Sequence, residues 1–150
     1  MTTVLILAHA PLASALRAVA QHVFPDCAAQ LHAQDVGADT PPEQVAQAAR
    51  ELLAQWPDEP ALVLTDVFGA SPCNAAMVLL DDPRVRVVAG VNVPMLWRTL
   101  CYAQQESLDA LVTRAVAGGM QGVLPLSPSQ PRSQTSAPCC HDQTDAVDHQ

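Results

Sequence analysis

The chain has 150 residues with a formal net charge of -8, and all seven of its basic residues are arginines. This charge balance excludes a protein that binds nucleic acid by tracking its phosphates. The absence of lysine, together with the lack of a glycine-rich Walker pattern, argues against a nucleotide-dependent kinase. No apolar run is long enough to span a membrane. At this length, one domain with a full hydrophobic core is expected.

The first residues and the cysteines favour a cytoplasmic location. The chain starts with Met-Thr-Thr-Val-Leu-Ile-Leu, which lacks the basic region of a signal peptide and leads directly into a predicted strand. Five cysteines, an odd number, are scattered along the chain. This pattern favours reduced thiols over a disulfide framework, and we therefore expect a cytoplasmic protein.

Predicted strands and helices alternate along the chain. Short apolar or β-branched runs predict four strands, at residues 3–8, 30–36, 61–65 and 84–91. Apolar residues at helical spacing predict five helices, at residues 12–24, 41–56, 72–80, 95–104 and 108–117. Thr40 and Ser71 are the predicted N-caps of the second and third helices, each followed by a proline at the first helical position. Gly118 and Gly119 are expected to end the fifth helix.

The C-terminal part changes character after a last, short strand predicted at 121–126. From Ser127 onward the sequence is rich in serine, proline, glutamine, threonine and aspartate, and it cannot bury enough apolar surface to offset its ordering entropy. We therefore expect one domain at 1–126 and a disordered polar tail at 127–150. Two cysteines and two histidines lie in this tail, at Cys139, Cys140, His141 and His149. Their spacing matches no zinc pattern, so no metal site is predicted.

The alternation of strands and helices predicts a doubly wound α/β fold with a mainly parallel sheet. In such sheets, ligands bind beyond the carboxyl ends of the strands, at the point where the strand order reverses. A strand order of 2-1-3-4 makes strands 1 and 3 neighbours, with the reversal between them. His9 follows the first strand and Asp66 follows the third, so we expect these two side chains to meet.

A histidine beside a carboxylate at this position indicates a nucleophile. A carboxylate bonded to one ring nitrogen fixes the tautomer, leaves the other nitrogen free to attack, and stabilises the positive charge that develops. Backbone N–H groups of Gly69, Ala70 and Ser71, together with the Ser71 hydroxyl, are the predicted ligands of an incoming phosphoryl group at the N-terminus of the third helix. The combination predicts a phosphohistidine site that needs no cofactor.

Three separated motifs resemble the EIIA domain of the mannose family of the phosphoenolpyruvate-dependent sugar phosphotransferase system. They are the first strand ending in His9, the run Asp66-Val-Phe-Gly-Ala-Ser-Pro-Cys-Asn-Ala-Ala76, and the run Ala89-Gly-Val-Asn-Val-Pro-Met-Leu96. The likeness extends over about residues 1–126 with the same order of elements. Any one of these motifs alone is a weak signal, whereas the agreement of all three in register is strong.

The resemblance implies that His9 is transiently phosphorylated on Nε2, with Asp66 bonded to Nδ1. It implies the phosphocarrier protein HPr as the donor and an EIIB protein or domain as the acceptor, followed by a sugar at a membrane permease. Contact with a membrane is then only indirect. The resemblance also implies a homodimer in which the last strand, near 121–126, is antiparallel and exchanged between subunits.

Four further side chains are assigned to the rim of the pocket or to partner contact, with turn and core roles weighed evenly for the last three: Phe68, Asn92, Pro94 and Met95. Phe68 lies where the family commonly has a tryptophan followed by two glycines. The 150 residues contain no EIIB-like region, so we expect a second transfer to require a separate protein.

Three other functions remain open from the sequence. The domain could serve as a regulatory module that binds a partner according to its phosphorylation state, without sugar transport. It could be the phosphotransfer subunit of a dihydroxyacetone kinase, although Ser71-Pro72-Cys73-Asn74 favours the mannose group. The third is a small-ligand binder that uses the same crevice without covalent chemistry.

Overall fold

Four parallel strands form the centre of the structure, a computed structural model that describes residues 1–129. The strands are β1 (Thr3–His9), β2 (Leu31–Val36), β3 (Ala61–Thr65) and β4 (Val85–Ala89), in the order β2-β1-β3-β4. The predicted fold class and strand order are therefore confirmed. In the register of the sheet, His9 lies opposite Val36 of β2, and Leu7 lies opposite Thr65 of β3.

Five helices cover the two faces of the sheet. They are α1 (Leu12–Val23), α2 (Pro42–Leu53), α3 (Ser71–Val78), α4 (Val93–Tyr102) and α5 (Leu108–Gln121). Side chains alternate along β1, so that Val4 and Ile6 pack in the cluster that contains α1, α4 and α5 residues, whereas Leu5 and Leu7 pack with α2 and α3. Because the central strands are buried on both faces, they are almost entirely apolar.

Two predicted helix starts are wrong by one residue. The N-cap of α2 is Pro41 rather than Thr40, and no side chain caps it. Pro41 is extended because Pro42 follows it, and a residue before proline avoids the helical region. The N-cap of α3 is Ala70, whose carbonyl accepts from the N–H of Asn74 at 2.9 Å, and Ser71 is already helical.

The C-terminal end of the domain also differs from the prediction. Helix α5 passes through Gly118 and Gly119 and ends at Gln121. These glycines allow α5 to lie against α4: a Cβ on Gly118 would be 2.6 Å from Cγ of Arg98. Residues 122–129 contain no strand in the single chain, so the expected strand at 121–126 is not present there. Its exchange between two chains remains a prediction.

Other expectations about the C-terminus fall beyond the part that the structure describes. The predicted tail lies outside it except for residues 127–129, and so do Cys139, Cys140, His141 and His149. In residues 1–129, the sulfur atoms of Cys27 and Cys101 are 3.7 Å apart, a hydrogen-bond contact and not a disulfide. None of the helices in this range has the length and apolarity needed to cross a membrane.

Candidate functional site

His9 and Asp66 lie side by side at the carboxyl edge of the sheet. His9 is the last residue of β1, and Asp66 directly follows the neighbouring strand β3. The Nδ1 atom of His9 is 2.6 Å from Oδ2 of Asp66. The sequence expectation that the two side chains meet is therefore fulfilled at hydrogen-bond distance.

Asp66 accepts two further hydrogen bonds, both from the backbone. The N–H of His9 donates to Oδ2 at 3.0 Å, and the N–H of Val67 donates to Oδ1 at 2.8 Å. Burial raises the pKa of the Asp66 carboxyl. These backbone bonds and the bond from the His9 ring lower the pKa by more than burial raises it, so that the net pKa shift is downward. The carboxylate is held ionised, as an acceptor for the imidazole.

The ionised carboxylate selects one form of the neutral His9 ring. Since Asp66 can only accept, Nδ1 carries the proton and Nε2 keeps its lone pair. The His9 side chain is 48% exposed, whereas that of Asp66 is 12% exposed. A partner can therefore approach the imidazole while the carboxylate stays behind it, which is the arrangement of a nucleophile and its orienting group.

Gly90 fixes the backbone under Asp66. Its N–H lies 2.9 Å from the Thr65 carbonyl and 3.0 Å from the Asp66 carbonyl, and the N–H of Val91 also donates to Thr65. Gly90 has a φ of 92°, a conformation that residues with a Cβ rarely adopt. The end of β4 thus supports the end of β3. Sequence analysis placed Gly90 in a motif but gave it no role.

The turn after Asp66 contains the predicted phosphoryl-binding residues. Gly69 has a φ of 89°, and the N–H of Ala70 donates to the Val67 carbonyl at 3.4 Å. Helix α3 begins at Ser71, and the first N–H groups of a helix have no partner within the helix. These groups lie at the same edge of the sheet as His9. Phe68 is 78% exposed in this turn.

The other three predicted rim residues serve the junction of α4 with α5. Asn92 caps α4 by accepting from the N–H of Met95 at 2.9 Å, and its Nδ2 donates to the Gly119 carbonyl at 3.1 Å. Met95 is buried, and Pro94 packs against Gly122. The observed contacts are those of turn chemistry and core packing. A role in the pocket rim remains a prediction for all three.

Sequence analysis missed a second polar pair at this edge, formed by Ser14 and Asp35. Asp35 is the penultimate residue of β2, and it lies opposite Ala8 in the register of the sheet. Its carboxylate accepts from the N–H of Ser14 at 3.0 Å and from the Ser14 hydroxyl at 2.5 Å. Only the parallel pairing of β1 with β2 brings these residues together, so no local signal marked them.

In residues 1–129, no group of three or more histidine, cysteine, aspartate or glutamate side chains is arranged to hold a metal ion. The His9–Asp66 pair combines an imidazole that can attack through Nε2 with a carboxylate that can stabilise the resulting cation.

Curated relatives match a little over half of the chain. The mannose-specific EIIAB component of the phosphotransferase system (PTS) from Escherichia coli K12 is 40% identical over 79 residues, 51% of this chain and 24% of that protein. The PTS fructose-specific EIIA component of Bacillus subtilis is 33% identical over 87 residues, 57% of each chain. The match thus spans about a quarter of the length of the E. coli relative.

Solved structures share the fold. The mannose/sorbose-specific IIA subunit from Enterococcus faecalis superposes with a TM-score of 0.73 at 23% identity, covering 87% of this chain and 98% of that one. The EIIA component from Streptococcus agalactiae has a TM-score of 0.72 at 21% identity, covering 83% and 97%. At these identities, the likeness concerns the fold alone.

A family model provides the remaining comparison. The EIIA-man model, described as "PTS system fructose IIA component", matches residues 3–116, which include all four strands and both His9 and Asp66. Since this match covers well over half of the 150 residues, the chain belongs to the EIIA-man family of phosphotransferase-system IIA components.

Proposed function

We propose that this chain is a phosphoryl carrier, in which His9 accepts a phosphoryl group from phospho-HPr and passes it to a separate EIIB protein or to a regulatory target. The observation that supports this most is the 2.6 Å contact between Nδ1 of His9 and the Asp66 carboxylate, with the imidazole accessible to a partner. Membership of the EIIA-man family supports the same class of reaction.

The proposed transfer needs no cofactor and no net proton exchange. The Nε2 lone pair of His9 attacks the phosphorus of the phosphohistidine on the donor. An N–P bond to His9 forms as the N–P bond of the donor breaks, and the donor imidazole leaves with the electron pair. The His9 ring becomes positively charged with its proton still on Nδ1, and Asp66 stabilises that charge.

The phosphoryl oxygens are proposed to bind at the N-terminus of α3. The N–H groups of Gly69 and Ser71 are the proposed donors at a helix end that favours an anion. The Ala70 N–H joins them by exchanging its long 3.4 Å bond to the Val67 carbonyl for a phosphoryl oxygen. The proposal gives Phe68 the role of the exposed partner contact, because most of its ring is open to solvent. Asn92, Pro94 and Met95 are proposed to shape the rim of the pocket or to contact the partner.

Incubation with phosphoenolpyruvate, the first enzyme of the system and HPr tests this function. Wild-type protein is expected to gain one acid-labile phosphate. His9→Ala should gain none, whereas His22→Ala, which removes another exposed histidine, should be labelled as wild type. Full labelling of His9→Ala contradicts the assignment.

The acceptor can be identified by capture of partners. Wild-type protein and His9→Asp, whose carboxylate imitates the charge of phosphohistidine, serve as baits. Recovery of an EIIB protein supports transport through a permease, while recovery of a kinase or transcription regulator supports signalling. In either case the proposed location is the cytoplasm, with the membrane reached only through a partner.

A homodimer with an exchanged C-terminal strand is proposed from two observations. Strand β4 is an edge of the four-stranded sheet, and the segment after α5 exposes Val123, Leu124 and Leu126. An edge strand offers unpaired backbone groups to a second chain. Light scattering should give twice the chain mass for wild type and the single-chain mass for Val123→Asp combined with Leu126→Asp.

A further inference from the structure

Ser14 and Asp35 connect the start of α1 to the end of β2, next to the strand that presents His9. We propose that Asp35, acting through Ser14, is a positioning residue that fixes the direction of the His9 imidazole for phosphoryl transfer. This inference rests on the proposed function of His9.

Helix α1 has no side-chain cap from its own N-cap residue. Its N-cap is Pro11, which has no side-chain group to accept a hydrogen bond. The Asp35 carboxylate takes that place from a neighbouring strand, because it accepts the N–H of Ser14 in the first turn of the helix. A negative charge at a helix N-terminus is also electrostatically favourable.

Hydrogen bonds at three residues hold the turn between β1 and α1 in place. Before the turn, the N–H of His9 donates to Asp66 at 3.0 Å. Within it, the N–H of Ala10 donates to the Val36 carbonyl at 2.9 Å. After it, Ser14 donates through both its N–H and its hydroxyl to Asp35. Residues 9–14 are thus held to β2 on one side and to Asp66 on the other.

The Ser14 hydroxyl lies between the Asp35 carboxylate and the Pro11 carbonyl. It has one proton, and it lies 2.5 Å from Oδ2 of Asp35 and 3.1 Å from the Pro11 carbonyl. Since both neighbours only accept, the proton goes to the closer, charged oxygen of Asp35, and the hydroxyl links that carboxylate to the first turn of α1. Loss of Asp35 removes the two bonds from the first turn of α1 to β2, so that the turn is held to β2 by the bond from the Ala10 N–H to the Val36 carbonyl.

Single-turnover phosphorylation by phospho-HPr tests the positioning role. Asp35→Ala is expected to lower the rate at saturating donor by about tenfold or more, with little change in the donor concentration at half-maximal rate, because misplacing a reacting group by about 1 Å costs up to about 100-fold. Asp35→Asn keeps an oxygen acceptor for the Ser14 N–H and should restore most of the rate. Asp39→Ala removes an exposed carboxylate of the following loop and is the matched control.

A second variant, Ser14→Ala, tests the positioning role if Asp35→Ala does not fold, and NMR provides a second readout. Ser14→Ala removes the hydroxyl, keeps the N–H bond and favours the helix, and its rate should fall between those of wild type and Asp35→Ala. The ¹⁵N resonances of the His9 ring should report a fixed Nδ1–H tautomer in wild type. In Asp35→Ala they should report a mixture of tautomers, because the ring then spends part of its time turned away from the Asp66 carboxylate.

The outcomes separate this inference from the proposed function. If wild type itself is not phosphorylated, the proposed function fails, and the ring resonances still decide whether Asp35 orients His9. If wild type is phosphorylated while folded Asp35→Ala matches Asp39→Ala in rate and tautomer, the positioning role is refuted. A failure of Asp35→Asn to restore the rate also refutes it, since charge rather than geometry would then be decisive.

Discussion

At the scale of single residues, the two carboxylate oxygens of Asp66 accept hydrogen bonds from different donors. One oxygen serves the backbone and ring of His9, and the other serves the N–H of Val67. This arrangement holds the carboxylate in one orientation and keeps the proton of the neutral imidazole on Nδ1. Loss of the Asp66 charge should therefore slow the phosphoryl transfer strongly while the protein still folds.

Asp66→Asn is expected to keep the fold and slow the transfer. An amide cannot stabilise the positive ring as a carboxylate does, and loss of such an orienting group can cost up to about 10⁴-fold in rate. The free energy of unfolding should fall by roughly 1.5–3 kcal/mol, the usual value of a hydrogen bond to a charged group. Rapid-quench phosphorylation and denaturant unfolding measure the two effects, with Asp39→Asn as control. A rate within twofold of wild type would show that the carboxylate has no part in transfer.

Gly90→Ala is expected to destabilise the domain through its backbone conformation. A Cβ at this position meets no atom within 4 Å, so the cost comes from the φ of 92° alone. That cost is of order 1–2 kcal/mol. Gly90→Asn should cost less, because asparagine tolerates positive φ better. Thermal unfolding compares the two variants, and equal melting temperatures for both and for wild type contradict the explanation.

At the scale of elements, the pattern of apolar residues predicted the strands and helices, and the strand ends predicted the location of the site. The four strands followed from apolar runs. The meeting of His9 with Asp66 followed from the assumed strand order 2-1-3-4 and from the topology of parallel sheets. The Asp35–Ser14 pair could not be predicted in this way, because it depends on side-chain contact across 21 residues of chain. The predicted end of α5 was wrong. A rule based on local sequence interprets Gly118 and Gly119 as a helix stop, whereas in the structure these glycines allow close packing against α4.

The packing of α4 against α5 gives a test at this scale. A Cβ on Gly122 would lie 2.3 Å from the ring of Pro94, which cannot move away, whereas a Cβ on Gly119 would meet the flexible end of Met95 at 2.8 Å. Alanine also favours a helix interior over glycine by about 1 kcal/mol, which benefits position 119 only. Gly122→Ala should therefore lower the melting temperature more than Gly119→Ala. The reverse order in thermal unfolding contradicts the observed packing.

At the scale of the whole molecule, paired carboxylates link stability to pH. Hydrogen bonds from Arg50, Arg84 and Arg114 lower the pKa of Asp81, Asp82 and Glu106, respectively. At Asp66, burial raises the pKa but hydrogen bonds lower it more. Each of these carboxyls therefore binds a proton more readily in the unfolded chain than in the folded one.

The expected result is a loss of stability in acid. The contribution of these groups is fully present above about pH 5, since unfolded carboxyls titrate near pH 4, and it disappears as the pH falls through the folded pKa values. Glu106→Gln should flatten part of this dependence, because the Glu106 side chain is largely shielded from solvent and accepts hydrogen bonds from Arg114. Melting temperatures between pH 3 and pH 6 measure the effect. Stability that rises as the pH falls would contradict it.

The most direct test of the account is to determine which ring nitrogen carries the phosphate. Protein labelled with ¹⁵N in its histidines is phosphorylated with phospho-HPr, and the coupling between phosphorus and nitrogen is measured by NMR. The account predicts coupling to Nε2 of His9, with Nδ1 still protonated toward Asp66. Phosphate on Nδ1 of His9, or on any other residue, would contradict it.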